Sequence, residues 1–91
     1  MTTAHTPGPW FVTGEGLSRY VEAKINGALI QEVAWCGATL KDEQEDNARL
    51  IAAAPELLEV LQVIAADSRW TSGEPLLMQV RAAIAKATGA A

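Results

Sequence analysis

The sequence has few of the residues that build covalent or metal-bound frameworks. It contains one cysteine, Cys36, and one histidine, His5, which excludes an internal disulfide and a cysteine-rich zinc site. Eleven acidic residues outnumber seven basic ones, and the net charge of −4 argues against direct binding to a nucleic-acid backbone. No apolar run approaches the roughly 20 residues of a membrane span, and no signal peptide opens the chain. These absences predict a small soluble protein of a reducing compartment.

The composition is that of one globular domain. Of the 91 residues, 49% are hydrophobic and 20% are charged, which is ordinary for a folded protein and argues against disorder. Because compact domains contain roughly 100–150 residues, we expect a single domain over residues 1–91. We expect a flexible leader at residues 1–6, a three-stranded sheet at residues 10–35 and a helical half at residues 44–88.

Three short antiparallel strands are predicted in the first half of the chain. We assign them to residues 10–12, 18–25 and 28–35. Between the last two stands the pair Asn26-Gly27. This pair favours a two-residue hairpin loop, because a type I′ turn requires a positive φ at both central residues.

A two-residue loop fixes which side chains share a face of the sheet. It places Ile30 on an aliphatic face that suits a packed helix. The opposite face carries Tyr20, Val33 and Trp35 at the end far from the loop. Either the first strand with Trp10 covers these side chains, or they form an exposed apolar surface of the kind that marks an interface.

The second half of the chain has a helical pattern. Apolar residues recur with a 3.6-residue period over residues 47–66, and Pro55 interrupts that stretch by removing a hydrogen bond and crowding the preceding turn. We therefore expect a kinked helix or two nearly collinear helices there. Pro75 suits the first turn of a last helix, and Gly89 suits its end. The predicted fold class is α+β: three short antiparallel strands followed by two or three helices, a βββαα arrangement.

Alanine is abundant, and this bears on assembly. Seventeen alanines allow helices to approach closely but leave few bulky side chains for a core. We therefore expect a homo-oligomer, in the form of a dimer that buries a helix face.

An acidic cluster precedes the helical pattern. Four carboxylates occur within five residues, at Asp42, Glu43, Glu45 and Asp46. They can interact favourably with the dipole at a helix N-terminus, or they can imitate nucleic-acid phosphate toward a basic protein. A metal site is a third interpretation, but hard cations require ligands at set loop positions around a glycine, and this segment has none.

No set of residues suitable for catalysis can be assembled. His5 stands in the predicted leader, where nothing positions an imidazole for acid–base chemistry. Cys36 has no charged neighbour to stabilise a thiolate, so we expect a buried structural cysteine. We therefore predict a protein that is not an enzyme and has no cofactor.

Aromatic residues supply the remaining candidates for binding. Tyr20 and Trp35 at the open end of the sheet, and Trp70 in a loop, can anchor a partner or stack on a base. Core packing is the competing explanation for Trp35. One or two of the four arginines could converge on an anionic small ligand, especially across a dimer, although nothing in their spacing shows that they do; they are Arg19, Arg49, Arg69 and Arg81.

Two stretches resemble a known family. Residues 5–10 read HTPGPW and residues 46–59 read DNARLIAAAPELLE. They resemble a family of small phage and prophage proteins that pair a TPGPW start with a D-x-NARLIAAAPELLE helix. The resemblance implies origin in a mobile element and a working place in the cytoplasm of the bacterial host. It carries no catalytic or ligand residues to this chain.

Small acidic phage proteins of this kind often bind host components, and the resemblance therefore implies an anti-defence role. Our leading hypothesis is a non-enzymatic inhibitor of a host defence complex, of anti-CRISPR type, that acts by stoichiometric occlusion. Its surface would be the acidic cluster or the Tyr20/Trp35 patch. One alternative is an oligomeric sponge that sequesters a nucleotide immune signal, and another is a structural or regulatory phage protein.

Overall fold

Three strands and three helices follow one another along the chain. The computed structural model describes residues 5–15, 18–25, 27, 29–37, 41–71 and 73–89. The elements are β1 (Trp10–Glu15), β2 (Ser18–Ile25), β3 (Leu29–Trp35), α1 (Lys41–Ala52), α2 (Ala54–Ala65) and α3 (Pro75–Thr88). The predicted α+β class is confirmed, with three helices. The chain divides into two compact units, residues 1–56 and 57–91, and each is described by itself.

The sheet of the first unit is an antiparallel meander in the order β1-β2-β3. In the pairing of β1 with β2, Val12 lies opposite Val21 and Gly14 lies opposite Arg19. Gly14 has a φ of 91°, and its carbonyl oxygen accepts a hydrogen bond of 2.7 Å from Arg19 Nη1. The first strand thus continues three residues beyond the predicted 10–12. Glycine can adopt the left-handed conformation at position 14, so the strand passes through this position without ending there.

The register of the β2–β3 hairpin differs from the prediction. Ile25 pairs with Leu29 and Lys24 pairs with Ile30, so the loop has three residues instead of two. The prediction of a two-residue turn was therefore wrong, although Gly27 does take a positive φ of 77°; residues 26 and 28, on which the prediction also rested, lie outside the described residues. Because side chains alternate along a strand, this one-residue slip moves Ile30 to the opposite face.

Further along β3, a β-bulge returns the following side chains to the face of the sheet that the sequence predicted for them. The pairs Glu22–Glu32 and Val21–Ala34 leave Val33 as an extra residue between them. Beyond the bulge Tyr20 pairs with Trp35, so these two rings share a face as predicted. Val33 does not join them, because the bulge directs it toward the core, where it is half-buried.

The core of the first unit lies between the sheet and α1. Val21 of β2, Cys36 at the end of β3 and Ala48 of α1 are buried together, and Cys36 is the buried cysteine that the sequence predicts. Ala48 has no exposed surface, so the helix backbone can approach the sheet closely at this point.

The segment before β1 is attached to the same core. Trp10 packs against the core residues, and its indole Nε1 donates a hydrogen bond of 3.0 Å to the carbonyl oxygen of Thr6. The ring of His5 meets Trp10 edge to face at 6.1 Å. The leader predicted as flexible is thus held at residues 5 and 6, while residues 1–4 lie outside the described residues.

The two stretches that carry the family resemblance meet in the first unit. The peptide bond between Gly8 and Pro9 is cis. A Cβ at Gly8 would lie 3.2 Å from Cβ of Pro55, so the missing side chain allows the PGPW segment to pass close to the proline. The two motifs therefore contact each other in the fold, which gives a structural reason for their occurrence in one chain.

The helical region begins earlier than predicted and is interrupted at the expected place. The polar segment at residues 41–46 forms the first half of α1 instead of leading into it. Helix α1 ends at Ala52, and Pro55 lies in the first turn of α2, where a proline costs little because that N–H has no helical acceptor. Of the two predicted alternatives, one kinked helix or two helices, the structure has two helices.

The second unit contains the greater part of α2, a loop and α3. Helix α3 starts at Pro75 and ends at Gly89, which has a φ of 76° and donates its N–H to the carbonyl of Ala85, as the sequence predicts. Leu77 and Val80 on α3 are buried. In the loop, Arg69 forms an ion pair of 2.7 Å with Asp67 and lowers the pKa of that carboxyl group by hydrogen bonding.

Candidate partner-binding surfaces

The acidic cluster forms the outer side of α1. The residues of α1 that are buried against the first unit are Gln44 and Ala48, four positions apart and hence on one side of the helix. The carboxylates occupy the remaining positions of the first turns, and all four residues are exposed: Asp42, Glu43, Glu45 and Asp46. The sequence placed them before the helix, whereas the fold arranges them as a compact surface.

The charge density of this acidic surface is high. Residues 42–46 span about 6 Å of helix axis, so four carboxylates occur at a mean spacing of about 2 Å. Duplex DNA carries about one phosphate charge per 1.7 Å of its axis. The linear charge densities are therefore comparable over this short distance, and a basic surface that binds nucleic acid would meet a similar local field.

Arg49 belongs to the same surface and partly neutralises it. Its guanidinium group lies 3.0 Å from Glu45 and 3.6 Å from Asp46, at helical spacings of four and three residues. These side chains are at least half exposed, and exposed pairs of this kind contribute less than about 1 kcal/mol. Arg49 therefore offsets part of the charge of this surface. With Lys41 at the start of α1, residues 41–49 contain four acidic and two basic residues, so their net charge is −2.

The Tyr20/Trp35 patch lies on the opposite side of the sheet from α1. Trp35 is 56% exposed and Tyr20, directly across from it, is half-buried. Trp10 packs against the core and therefore does not cover the patch. The exposure of Trp35 favours the second of the two sequence-based alternatives, an exposed apolar surface. The acidic surface and the Tyr20/Trp35 patch thus face in different directions within the first unit.

Gly37 determines where the Trp35 ring lies. A Cβ built at Gly37 would lie 2.2–2.4 Å from three atoms of the indole, so the ring rests on the glycine backbone. We expect Gly37→Ala to displace the ring at a cost below about 1 kcal/mol, because an exposed side chain can rotate away. The indole N–H resonance of Trp35 should then shift in an NMR spectrum while those of Trp10 and Trp70 stay in place. In a Trp35→Ala background the same glycine substitution should have no energetic cost, and a cost that persists there would contradict this account.

A groove that no sequence pattern indicated lies on this outer face of the sheet. A cavity of about 270 Å³ is lined by both aromatic and charged side chains, with Lys24 Nζ 5.9 Å above the ring of Phe11. Its lining residues are Phe11, Thr13, Glu22, Ala23, Lys24 and Ile30. The predicted register concealed the groove, because it turned Ile30 toward the helix.

Trp70 is a loop residue of the second unit. Its indole Nε1 donates a short hydrogen bond to the carbonyl oxygen of Ile64, and the ring is half-buried. That carbonyl also accepts a bond of 3.1 Å from the N–H of Asp67. Trp70 therefore closes the C-terminal end of α2, which gives it a structural role beside the proposed role in binding.

The described residues form neither a cluster of metal ligands nor a helix suited to a membrane. Within the ranges that the structure describes, no three His, Cys, Asp or Glu side chains are arranged to hold a metal ion. In the same ranges, the helices lack the length and apolar character that crossing a membrane requires.

Comparison with known proteins gives one match, to a family model. The model is described as Salmonella phage P22 protein Y8K6, and it matches residues 1–91. No curated protein and no solved structure matches the chain.

Proposed function

This chain belongs to the Salmonella phage P22 protein Y8K6 family, and we propose that it is a phage-encoded binding protein that inhibits a host defence complex. In the concrete form of the proposal, it is a non-enzymatic inhibitor of anti-CRISPR type that acts in the cytoplasm of the bacterial host. It occupies a basic, nucleic-acid-binding surface of its target in a fixed ratio. The acidic surface of α1 is the contact region.

One observation supports the proposal most: four exposed carboxylates lie within about 6 Å of the axis of α1, a spacing close to that of the phosphates along duplex DNA. The field of such a surface accelerates association with a basic partner and disfavours acidic ones. The buried side of α1 packs against the sheet through Gln44 and Ala48, so the carboxylates are presented from an ordered scaffold. Less conformational entropy is then lost on binding.

The proposal predicts a large effect of removing the carboxylates. A variant with Asp42→Asn, Glu43→Gln, Glu45→Gln and Asp46→Asn should lose inhibition while its circular dichroism spectrum stays that of the wild type. The readout is the plating efficiency of a sensitive phage on bacteria that carry a nucleic-acid-binding defence system, with and without the expressed protein. Because two of these acids lie in the first turn of α1, a modest loss of stability is expected as well.

A matched control separates local charge from net charge. Replacement of Glu15, Glu32, Glu56 and Glu74 by Gln removes the same four charges from other places in the chain. This control should retain inhibition. Equal activity of the two variants, or failure of the wild-type protein to restore plating on any defended host, would contradict the proposal.

The structure gives less support to the nucleotide sponge. That function requires guanidinium groups directed at a shared ligand. Arg49 and Arg69 instead pair with carboxylates of their own segments, and Arg19 binds the carbonyl of Gly14. We therefore keep the inhibitor as the proposed function.

A further inference from the structure

The outer face of the sheet, on the side opposite α1, is one continuous surface. The groove occupies one part of it and the Tyr20/Trp35 patch occupies another. Thr13 joins the two parts, because it lines the groove and lies directly across from Tyr20 in the β1–β2 ladder. The large apolar side chains of this face are accessible, with exposed fractions of 39% for Phe11, 63% for Ile30 and 56% for Trp35. A partner can therefore contact the groove and the patch together.

Two carboxylates face each other in the middle of this surface. Glu22 of β2 pairs directly with Glu32 of β3, and Glu22 also lines the groove. Like charges at directly opposite positions destabilise a sheet. Lys24, two positions along β2, lies with its Nζ 5.9 Å from the centre of the Phe11 ring, and these three charged residues together carry a net charge of −1. A cation placed between the two carboxylates would relieve their repulsion.

Apolar side chains lie on both sides of the carboxylate pair along the strands. On β3, Ile30 precedes Glu32 and Trp35 follows it, and their partners on β2 are spaced by two residues each. At about 3.3 Å per residue, successive pairs are about 7 Å apart. The surface therefore presents an apolar, an acidic and a second apolar position at regular intervals.

The width of this surface matches that of a helix. Its side chains come from all three strands, with Phe11 on β1, Glu22 on β2 and Ile30 on β3. Three neighbouring strands about 4.8 Å apart span about 10 Å, and a helix with its side chains is about 10–12 Å in diameter. Side chains four positions apart on a helix are separated by about 6 Å along its axis, close to the interval between the pairs on the sheet. An added helix would complete a layered arrangement in which both faces of the sheet are covered.

We propose that the outer face of the sheet binds a helix of another protein, with an arginine or lysine between two large apolar side chains on its contact side. The basic side chain lies between Glu22 and Glu32. The apolar side chains, one turn before and one turn after it, contact Ile30 at the groove and the indole of Trp35. This is recognition of an amphipathic helix by an apolar groove, with a charge pair that sets its position. Binding at this face does not depend on the proposed function, because the acidic surface of α1 faces in a different direction.

The first test selects binders from a displayed library of helical peptides about 15 residues long, since shorter helices are marginal in water. One face of the helix is randomised, and the immobilised target is the full-length protein. The selected peptides should carry an arginine or lysine with large apolar residues one turn away on both sides. A consensus with an acidic residue at the central position, or a library that yields no binder, would overturn the proposal.

Substitutions on the sheet test where the selected peptide binds. Glu22→Gln with Glu32→Gln should weaken binding at least about 10-fold in fluorescence anisotropy of the labelled peptide, because the basic side chain loses both partners. Ile30→Thr should also weaken binding, because it removes an apolar contact while keeping a β-branched residue in the strand.

Glu56→Gln with Glu59→Gln is the matched control. It removes two charges from exposed residues of α2, and it should change the affinity by less than about twofold, since screened charges away from the contact contribute little. Binding that survives the substitution of Glu22 and Glu32, or that falls equally in the control, would contradict the assignment to the outer face.

Stability distinguishes a binding role of the carboxylate pair from a structural one. Because Glu22→Gln with Glu32→Gln removes repulsion between opposed charges, the midpoint of thermal unfolding should rise by about 2–4 °C while peptide binding is lost. A fall in the midpoint would show that the pair supports the fold, and would overturn the proposal.

A second copy of the chain is the competing occupant of this face. Sedimentation velocity at micromolar concentrations compares the wild-type protein with Ile30→Thr. The two should sediment alike, because the face is kept for another protein. A wild-type dimer that Ile30→Thr dissociates would show that the chain covers this face with its own copy, and the proposal would fail.

Discussion

Gly14→Ala is expected to be the most destabilising small substitution in the first unit, at about 3 kcal/mol. The backbone there has a φ of 91°, and a Cβ would lie 1.8 Å from the carbonyl oxygen of Ser18. A left-handed conformation costs an L-residue about 1–2 kcal/mol, and forcing an atom into an occupied position adds about 1–3 kcal/mol. Gly14 pairs with Arg19 one step inside the end of the β1–β2 ladder, so relief of the clash requires the last pair, Glu15 with Ser18, to open. The midpoint of thermal unfolding should fall by at least about 12 °C.

Gly27→Ala is the control for Gly14→Ala. Gly27 also has a positive φ, of 77°, but among the residues that the structure describes no atom lies within 4 Å of the Cβ position. Its substitution should cost only the conformational part, about 1 kcal/mol. Urea unfolding followed by circular dichroism measures both variants, and equal losses of stability would show that the close approach to Ser18 is not what requires a glycine at position 14.

Trp10→Ala should have the second large effect, a loss of about 3–4 kcal/mol. The indole packs against the buried cluster around Val21, and its Nε1 holds the carbonyl of Thr6. Removing it leaves a cavity beside β1 and releases residues 5 and 6, and truncations of large aromatic side chains typically cost 3–5 kcal/mol. The partial exposure of Trp10 places the expected value in the lower part of that range.

Trp35→Ala gives the comparison for Trp10→Ala, because it removes the same side chain from the outer face of the sheet. Trp35 is 56% exposed, so its truncation should cost about 1 kcal/mol or less. The difference in the urea midpoint between the two variants is the measurement. If Trp35→Ala were the more destabilising of the two, the Tyr20/Trp35 patch would be part of the core and not a surface.

Sequence patterns predicted those features of this protein that depend only on residues close to one another in the sequence. Helix α3 begins at Pro75 and is capped by Gly89. Proline restricts φ to a helical value and glycine permits the left-handed conformation of a helix cap, wherever in a chain they occur. Pro55 separates two helices for the same reason. The burial of Cys36 followed from its apolar surroundings. The acidic cluster was recognisable as a candidate site because its four charges are adjacent in the chain.

Tertiary structure decided which side each strand presents and which surfaces remain exposed. A single additional loop residue turned Ile30 outward, and the bulge at Val33 returned Trp35 to the face of Tyr20. Neither is encoded by local propensity, because register depends on the sum of pairings across the hairpin and on how well α1 packs over one face. The sequence did not predict the start of α1 at Lys41, because a polar segment has no apolar residues at helical spacing. Which side of this helix is buried, here the side of Gln44 and Ala48, is decided only by contact with the sheet. The apolar period of α2 predicted the helix correctly, but only the folded chain shows that part of this pattern, including Val60 and Val63, is exposed.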